Sequence, residues 1–223
     1  MFLKNLLLID CETTGTDPSK DELCEIGAIL FSVEYKAVIQ QLSFLLPVKA
    51  NPAKKINGIP VGLTNSTLLS GNEAMLAALS WMAYQADACV AHNADFDRQW
   101  VPSLLLERPW ICTCHGISWP NLRPSPSLAT LALAYGVPVW AAHRALTDCI
   151  YLAQVFERDP ELEAHIEEGL LPQVLVNACV SFDEKDLAKE AGFRWMPEIR
   201  QWQRKCNERQ IAALPFSVSP ANA

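Results

Sequence analysis

The stretch Leu6-Leu7-Leu8-Ile9-Asp10-Cys11-Glu12-Thr13-Thr14-Gly15 sets four large aliphatic residues ahead of two carboxylates and a Thr-Gly turn. A short apolar run closed by a breaker reads as a buried strand. Successive side chains of a strand leave opposite faces, so Asp10 and Glu12, two residues apart, converge on one face at its end. Converging carboxylates suit a hard divalent cation. Mg²⁺ takes oxygen ligands and keeps several waters, which fits a site shared with substrate phosphates better than a closed cage. Taken alone, a D-x-E pair reads more simply as a polar strand end entering a turn, so the other motifs must decide.

A chain of 223 residues holds one large domain, or an ordinary domain with a small appendage. Its 50% hydrophobic and 19% charged residues exclude the disordered and fibrous classes. The formal charge of −7 excludes a diffuse attraction to nucleic acid, so any such binding is local or metal-mediated. Eight cysteines are scattered through apolar stretches without a disulfide-framework spacing, which fits a reducing cytoplasm. Cys112-Thr113-Cys114-His115 lacks a second ligand pair and reads as buried thiols rather than zinc. The apolar start from Met1 to Ile9 is too short, and too soon followed by acids, for a signal peptide. No apolar run approaches the roughly 18 residues of a membrane span.

After the first strand, residues 25–32 and 36–46 read as two more, joined by a hairpin at Val33-Glu34-Tyr35, with Gly27 permitting close approach. Pro47, Pro52 and Pro60 bracket a long loop containing Ile56-Asn57-Gly58-Ile59. Asn72 can cap a helix to Gln85 whose stripe is Met75, Leu76, Leu79 and Met82 or Ala83. Ala88 to Ala91 is a short buried strand, followed by a helix through Leu106 interrupted at Pro102. Trp110 to Cys112 is another strand, residues 128–135 a helix ended by Gly136, and a last long helix runs to about Glu157. Strands alternating with helices after a hairpin give an α/β fold with a mixed sheet.

Three motifs occur in order: Asp10-Cys11-Glu12-Thr13-Thr14-Gly15, His92-Asn93-Ala94-Asp95-Phe96-Asp97 and His143-Arg144-Ala145-Leu146-Thr147-Asp148. Together they resemble the D-x-E-T-T-G, H-N-A-x-F-D and H-R-A-x-x-D motifs of the DEDDh 3′→5′ exonucleases, the DnaQ-like group within the ribonuclease H-like superfamily. The resemblance covers residues 5–157, and exonuclease X-like members look nearest because Trp110-Ile111-Cys112-Thr113 also follows the second motif. It implies a ribonuclease H-like five-stranded mixed sheet flanked by helices. It also implies two Mg²⁺ or Mn²⁺ ions about 3.5–4 Å apart, acting on a phosphodiester. By the same resemblance Asp10 bridges both ions, Glu12 and Asp148 complete one site, and Asp97 supports the other. His143 is the expected general base. Thr13, Thr14 and Gly15 offer backbone groups to the 3′-terminal nucleotide, and Asn57 and Gly58 belong to a loop resembling one that packs against its sugar or base.

Spacing adds an expectation of its own. Five residues along a helix turn by roughly 140°, so His143 and Asp148 cannot share a face and His143 must precede the helix. Asp95 lies before the aromatic of its motif and reads as a helix-start acid favoured by the dipole. The resemblance implies release of nucleoside 5′-monophosphates from a nucleic-acid 3′ end, with DNA placed ahead of RNA. Repair or replication proteins are the partners it suggests. An exoribonuclease remains open, because a metal site does not read the sugar; so does a non-catalytic nucleic-acid-binding scaffold on the same fold.

The domain reading is 1–158 for the exonuclease unit, 159–172 for an acidic connector and 173–218 for a small β-α-β-type module. In the module Ser181-x-x-Glu184 has the form of a capping box, and Gly192 closes the helix after it. Lys185, Lys189, Arg194, Arg200, Arg204, Lys205 and Arg209 put seven of the chain's 18 basic residues there, beside Trp195 and Trp202. Bases stack on aromatics while cations meet phosphates, which suits a substrate-binding accessory; the plainer reading makes the tryptophans the module's core.

Overall fold

Residues 3–66, 72–140 and 143–221 are described in this computed structural model; Met1 and Phe2 of the opening apolar run lie outside them. The apolar run forms β1 (Asn5–Thr13), and β2 (Leu23–Ser32) and β3 (Ala37–Leu45) follow as antiparallel neighbours, as the hairpin reading expects. The Pro-bracketed loop carries two single turns, α1 (Lys54–Asn57) and α2 (Val61–Thr64), the first closed by Gly58 at φ +69°. Next come α3 (Asn72–Gln85) and β4 (Ala88–Ala91). The expected helix through Leu106 is two separate turns, α4 (Ala94–Asp97) and α5 (Ser103–Leu106), because Pro102 cannot extend the first. β5 (Trp110–Cys112), α6 (Leu128–Ala134), α7 (Ala145–Arg158) and α8 (Leu162–Gly169) complete this part.

The five strands make one mixed sheet in the order β3-β2-β1-β4-β5, with β4 parallel to both β1 and β5. β1 is therefore central and buried on both faces. Leu6 and Leu8 point into a cluster with Phe31, Ile111, Leu152 and Phe156, while Leu7, Ile9 and Cys11 point into one with Leu79, Met82 and Leu105. Residues 6, 8, 10 and 12 share a parity, so Asp10 and Glu12 continue the face on which α7 packs. α7 comes very close there because Gly27 has no side chain: a Cβ at Gly27 would lie 2.3 Å from the backbone of Ala145 and Leu146.

The expected acidic connector, residues 159–172, for which a helix is one expectation, contains α8, and its Leu162 and Ile166 join the same core as α7. The Asp159 carboxylate accepts from the Glu161 N–H at 3.1 Å and meets the His165 ring at 2.7 Å, fixing the helix start.

The terminal unit comprises β6 (Val174–Ala178), α9 (Lys185–Glu190), β7 (Arg194–Met196), β8 (Gln201–Cys206), α10 (Glu208–Ala212) and β9 (Val218–Pro220). Its sheet pairs antiparallel in the order β7-β8-β6-β9, so β6, α9 and β7 make the expected β-α-β unit with β8 inserted between its two strands; β8 and the three residues of β9 carry too little apolar alternation to be read as strands. Ser181 and Glu184 do hydrogen-bond, at 2.8 Å, but α9 begins only after Glu184. The complete capping box is Asn207 with Gln210, on α10. Asn207 is fully buried and also donates to the Gly116 carbonyl at 3.1 Å, while Gln210 donates to the His115 carbonyl at 3.0 Å. Together these contacts dock the terminal unit against the first. No helix among the described residues is long and apolar enough to cross a membrane.

Candidate active site

Asp10, Glu12, Asp97, His143 and Asp148 line one cleft of about 660 Å³ at the end of β1. Each reaches it from a different structural device. Asp10 and Glu12 come from the strand itself, where the β1–β2 register shifts between Glu12 and Thr13 and re-aims the chain. Asp97 ends α4, which packs on β1, and its Oδ1 accepts the Cys11 N–H at 3.0 Å. Asp148 stands in the first turn of α7, and His143 precedes that helix, as the spacing argument requires.

The His143 backbone takes φ +61°, and its N–H donates to Asp148 Oδ2 at 3.2 Å. His143 is exposed, and its ring has no hydrogen-bond partner among the described residues. Glu12, His143 and Asp148 each offer one ligand atom, all within 4.8 Å of one another, a spacing that can hold a metal ion.

The clustered acids destabilise one another's charged forms. Burial pushes Asp10 well above the ordinary carboxylate range, and Asp97, Asp148 and Glu12 push it further. Burial first, and then Asp148 and Glu25, carry Glu12 up to about 8. Asp97 reaches about 7 by burial, against the Cys11 N–H that favours its charged form. Asp148 is also raised by burial. Asp97 is 1% exposed and its Oδ2 is buried with no hydrogen-bond partner. A buried carboxylate oxygen without a donor, in the cleft shared with Asp10 and Glu12, fits a divalent cation.

Two residues that the motifs left without a role hold this arrangement. Glu25 sits directly across from Glu12 in the β1–β2 register and is 1% exposed. Like charges so placed repel, and Arg144 answers with two bonds to the Glu25 carboxylate at 2.7 and 2.9 Å. Glu25 also accepts the Ala145 N–H at 3.2 Å, serving as the cap that α7 lacks from its own Arg144 side chain. Periodicity gives no sign of this, because Glu25 and Arg144 are 119 residues apart.

The expected substrate contacts divide. Thr13 Oγ1 is committed to the Gly15 carbonyl, and Thr14 Oγ1 to the Glu22 N–H. Asn57 is 2% exposed and donates to the Thr13 carbonyl at 3.1 Å, so its amide ties α1 to the end of β1. Thr13, Gly15, Ile56 and Asn57 border the cleft, whereas Gly58 turns away from it in left-handed backbone. Ile56 is 62% exposed and is the apolar side chain on that lip.

The cleft holds other histidines, and their environments separate them. His92 is pinned between Thr113 Oγ1 and the Pro126 carbonyl, both at 3.0 Å, and burial lowers it to about 4, so it is a neutral structural ring. His115 meets Ser125 Oγ at 2.8 Å and is also lowered by burial. Arg194 of β7 borders the same cleft and has no ion-pair partner among the described residues. The sequence counted it only as one of a basic cluster. Two others of that cluster are spent internally: Lys205 pairs with Asp95 of α4, and Arg204 donates to the Ala191 carbonyl at 2.8 Å.

A family profile described as "Exonuclease" matches residues 7–104, and one described as a domain of unknown function matches residues 174–221. The chain is 31% identical over 161 residues to a DNA polymerase III subunit epsilon of Treponema pallidum, covering 66% of this chain and 72% of that protein. It is 32% identical over 165 residues to a PolC-type DNA polymerase III of Thermotoga maritima, spanning 70% of this chain but only 12% of that protein's length. Exonuclease X in complex with 5′-overhanging duplex DNA superposes with TM-score 0.51 at 24% identity, over 68% of this chain and 89% of that one. E. coli exonuclease I in complex with a dT13 oligonucleotide gives 0.57 at 18% identity, over 84% and 50%. At these identities the two structures speak to the fold.

Proposed function

Because the chain belongs to the DnaQ-like exonuclease family, the RNase T/DEDDh type, we propose that it is a metal-dependent 3′→5′ exonuclease. The observation that carries this is the single cleft in which Asp10, Glu12, Asp97 and Asp148 converge beside His143, with Asp97 Oδ2 left without a donor. The reaction is hydrolysis of the terminal phosphodiester, releasing a nucleoside 5′-monophosphate.

Two Mg²⁺ or Mn²⁺ ions held by the four carboxylates would supply the positive charge that a dianionic transition state needs and would acidify the attacking water. Asp10, which interacts electrostatically with Asp97, Asp148 and Glu12 alike, would help to hold both ions. Glu12 and Asp148 form one side of the site, and Asp97, anchored by the Cys11 N–H, forms the other. His143 takes the proton of the attacking water on a ring nitrogen and passes it to solvent, which its exposed position permits. His92 cannot do this, since both its ring nitrogens are engaged. Arg194, the cleft's one arginine, is placed to meet a substrate phosphate. The backbone at Thr13 and Gly15 and the Ile56 side chain border the space for the terminal nucleotide.

A second reading of His143 has an observation behind it: its ring lies within ligating distance of Glu12 and Asp148, so it could bind the cation directly. Metal titration of a His143 variant separates the two.

DNA is placed ahead of RNA because the matched relatives are DNA polymerase III proteins, and replication or repair proteins are the corresponding partners. A reducing, cytoplasmic setting agrees with eight cysteines that are all unpaired. The test is incubation with 3′- and 5′-labelled DNA and RNA, single- and double-stranded, with Mg²⁺, Mn²⁺ or EDTA. A 5′-labelled strand should shorten one nucleotide at a time, more slowly with a 3′-phosphate, and not at all in EDTA. Cutting of a covalently closed circle would overturn the exonuclease reading, and preference for RNA would move the substrate.

A further inference from the structure

On the far face of the terminal sheet from the cleft lies a second groove, of about 530 Å³, lined by Phe182, Lys185, Trp195, Arg200 and Trp202. We propose that this groove binds a single nucleic-acid strand, stacking its bases on Trp195 and Phe182 and holding its phosphates with Lys185 and Arg200.

Phe182 and Trp195 are not spent on a core, while Trp202 packs against it and backs Trp195. Phe182 is 80% exposed and Trp195 47%, whereas the module's buried aromatic is Phe193, at 3%. Trp195 and Trp202 are register partners across the β7–β8 pairing, with ring centroids 5.6 Å apart and planes tilted by 58°, so the sheet holds the Trp195 indole against its neighbour. Lys185 Nζ lies 4.1 Å from the Phe182 ring centroid, which presents a cation and a stacking face together. Among the described residues neither Lys185 nor Arg200 has an ion-pair partner.

Charge selects the occupant. The chain carries 25 acidic residues and a net charge of −7, yet no acid lines this groove. Its ligand is therefore anionic, and flat enough to lie on indole faces, which describes stacked bases on a phosphodiester chain. Position selects it as well. β7 is the edge strand of its sheet, and its consecutive residues Arg194 and Trp195 point to opposite faces. Arg194 borders the catalytic cleft while Trp195 borders the groove, so a strand leaving the cleft crosses the width of one β-strand to reach it. Contacts of Asn207 and Gln210 from α10 and of Lys205 from β8 hold the terminal unit against the first.

This site rests on the reading that the cleft takes nucleic-acid ends, and its test is kept apart from catalysis. Binding of the full chain to a fluorescein-labelled 20-nucleotide oligothymidylate is followed by anisotropy in EDTA, where no cleavage occurs. Phe182→Ala and Trp195→Ala should each weaken binding by about 5- to 150-fold, the span of a lost base–aromatic stack. Trp195→Phe keeps a flat ring and should restore most of the affinity. Lys185→Gln combined with Arg200→Gln should flatten the slope of log K against log salt by about 1.4, two phosphates at roughly 0.7 each. Prior annealing of the oligonucleotide to its complement should abolish the contribution of the groove. Because Phe182 is so exposed, its substitution leaves the fold intact and its result stands even if Trp195→Ala fails to fold. Wild-type affinity in Phe182→Ala together with an unchanged salt slope in Lys185→Gln/Arg200→Gln, or no binding by the wild-type chain, overturns the proposal. Failure of the wild-type chain to cleave any strand with Mg²⁺ overturns the exonuclease reading instead.

Discussion

At the scale of single residues, Asp10 and Glu12 carry the site's largest conflict between fold and function. Each is pushed upward by burial and by neighbouring acids. Asp10→Asn or Glu12→Gln should abolish cleavage while raising the melting temperature of the cation-free protein at pH 8, because a like charge is gone from a buried cluster. Thermal melts in EDTA alongside a cleavage assay check both halves, and an active variant would remove the metal mechanism. For His143, the exposed ring and the Asp148 contact through backbone alone separate its chemistry from its position. His143→Ala should lower turnover by about 10²- to 10⁴-fold. Calorimetric Mn²⁺ titration then assigns its role: affinity near that of the wild type leaves it the base, and a collapse makes it a ligand.

At the scale of elements, the active site exists because α7 sits directly on β2. Gly27 allows that approach, and a methyl group there meets helix backbone, which cannot rotate away as a side chain could. Gly27→Ala should cost about 1–3 kcal/mol of stability, as overpacking does, and should lower turnover by displacing Asp148. Denaturant unfolding and steady-state kinetics measure the two effects; wild-type values in both would show that the approach is slack. The Glu25–Arg144 pair orients the same helix start. Arg144→Ala strands a buried carboxylate beside Glu12 and should cost about 1.5–3 kcal/mol, the worth of charge-assisted hydrogen bonds. Glu25→Gln restores part of it in the double variant, which a double-mutant cycle reads directly.

For the whole molecule, stability is linked to pH through the clustered acids. Their folded-state pKa values lie above the unfolded ones, so without a divalent cation their contribution is complete below about pH 4. It is lost as pH rises through about 7 for Asp97 and about 8 for Glu12. The melting temperature in EDTA should therefore fall between about pH 5 and pH 8.5, and Mg²⁺ or Mn²⁺ should remove most of the fall. A flat profile in EDTA would mean the acids are better solvated than the cleft indicates. The two units are coupled through Asn207, which caps α10 and bonds to Gly116 at once. Asn207→Ala should cost about 2–3 kcal/mol, a lost cap plus an unpaired buried carbonyl, and should speed amide exchange in β6 to β9 ahead of β1.

The sequence by itself determined the central strand, the hairpin beside it and the order of the alternating elements, because apolar runs and their breakers are local signals. The resemblance of three short motifs to a known family singled out the five residues that line the cleft. Even the separation of His143 from Asp148 followed from helical arithmetic. What only the tertiary structure decided depends on residues far apart in the chain. Glu25 and Arg144 are joined by the β1–β2 register and the descent of α7, and neither partner announces the other. Asn57 reads as a substrate contact until its amide is seen bonded to the Thr13 carbonyl. The terminal sheet was half hidden, because β8 sets only Trp202 and Cys206 on its inner face, with Arg204 between them, and β9 is three residues long, so pairing rather than pattern makes them strands. Arg194 reached the cleft, and Trp195 the groove behind it, only through the docking of that sheet, which no local periodicity encodes.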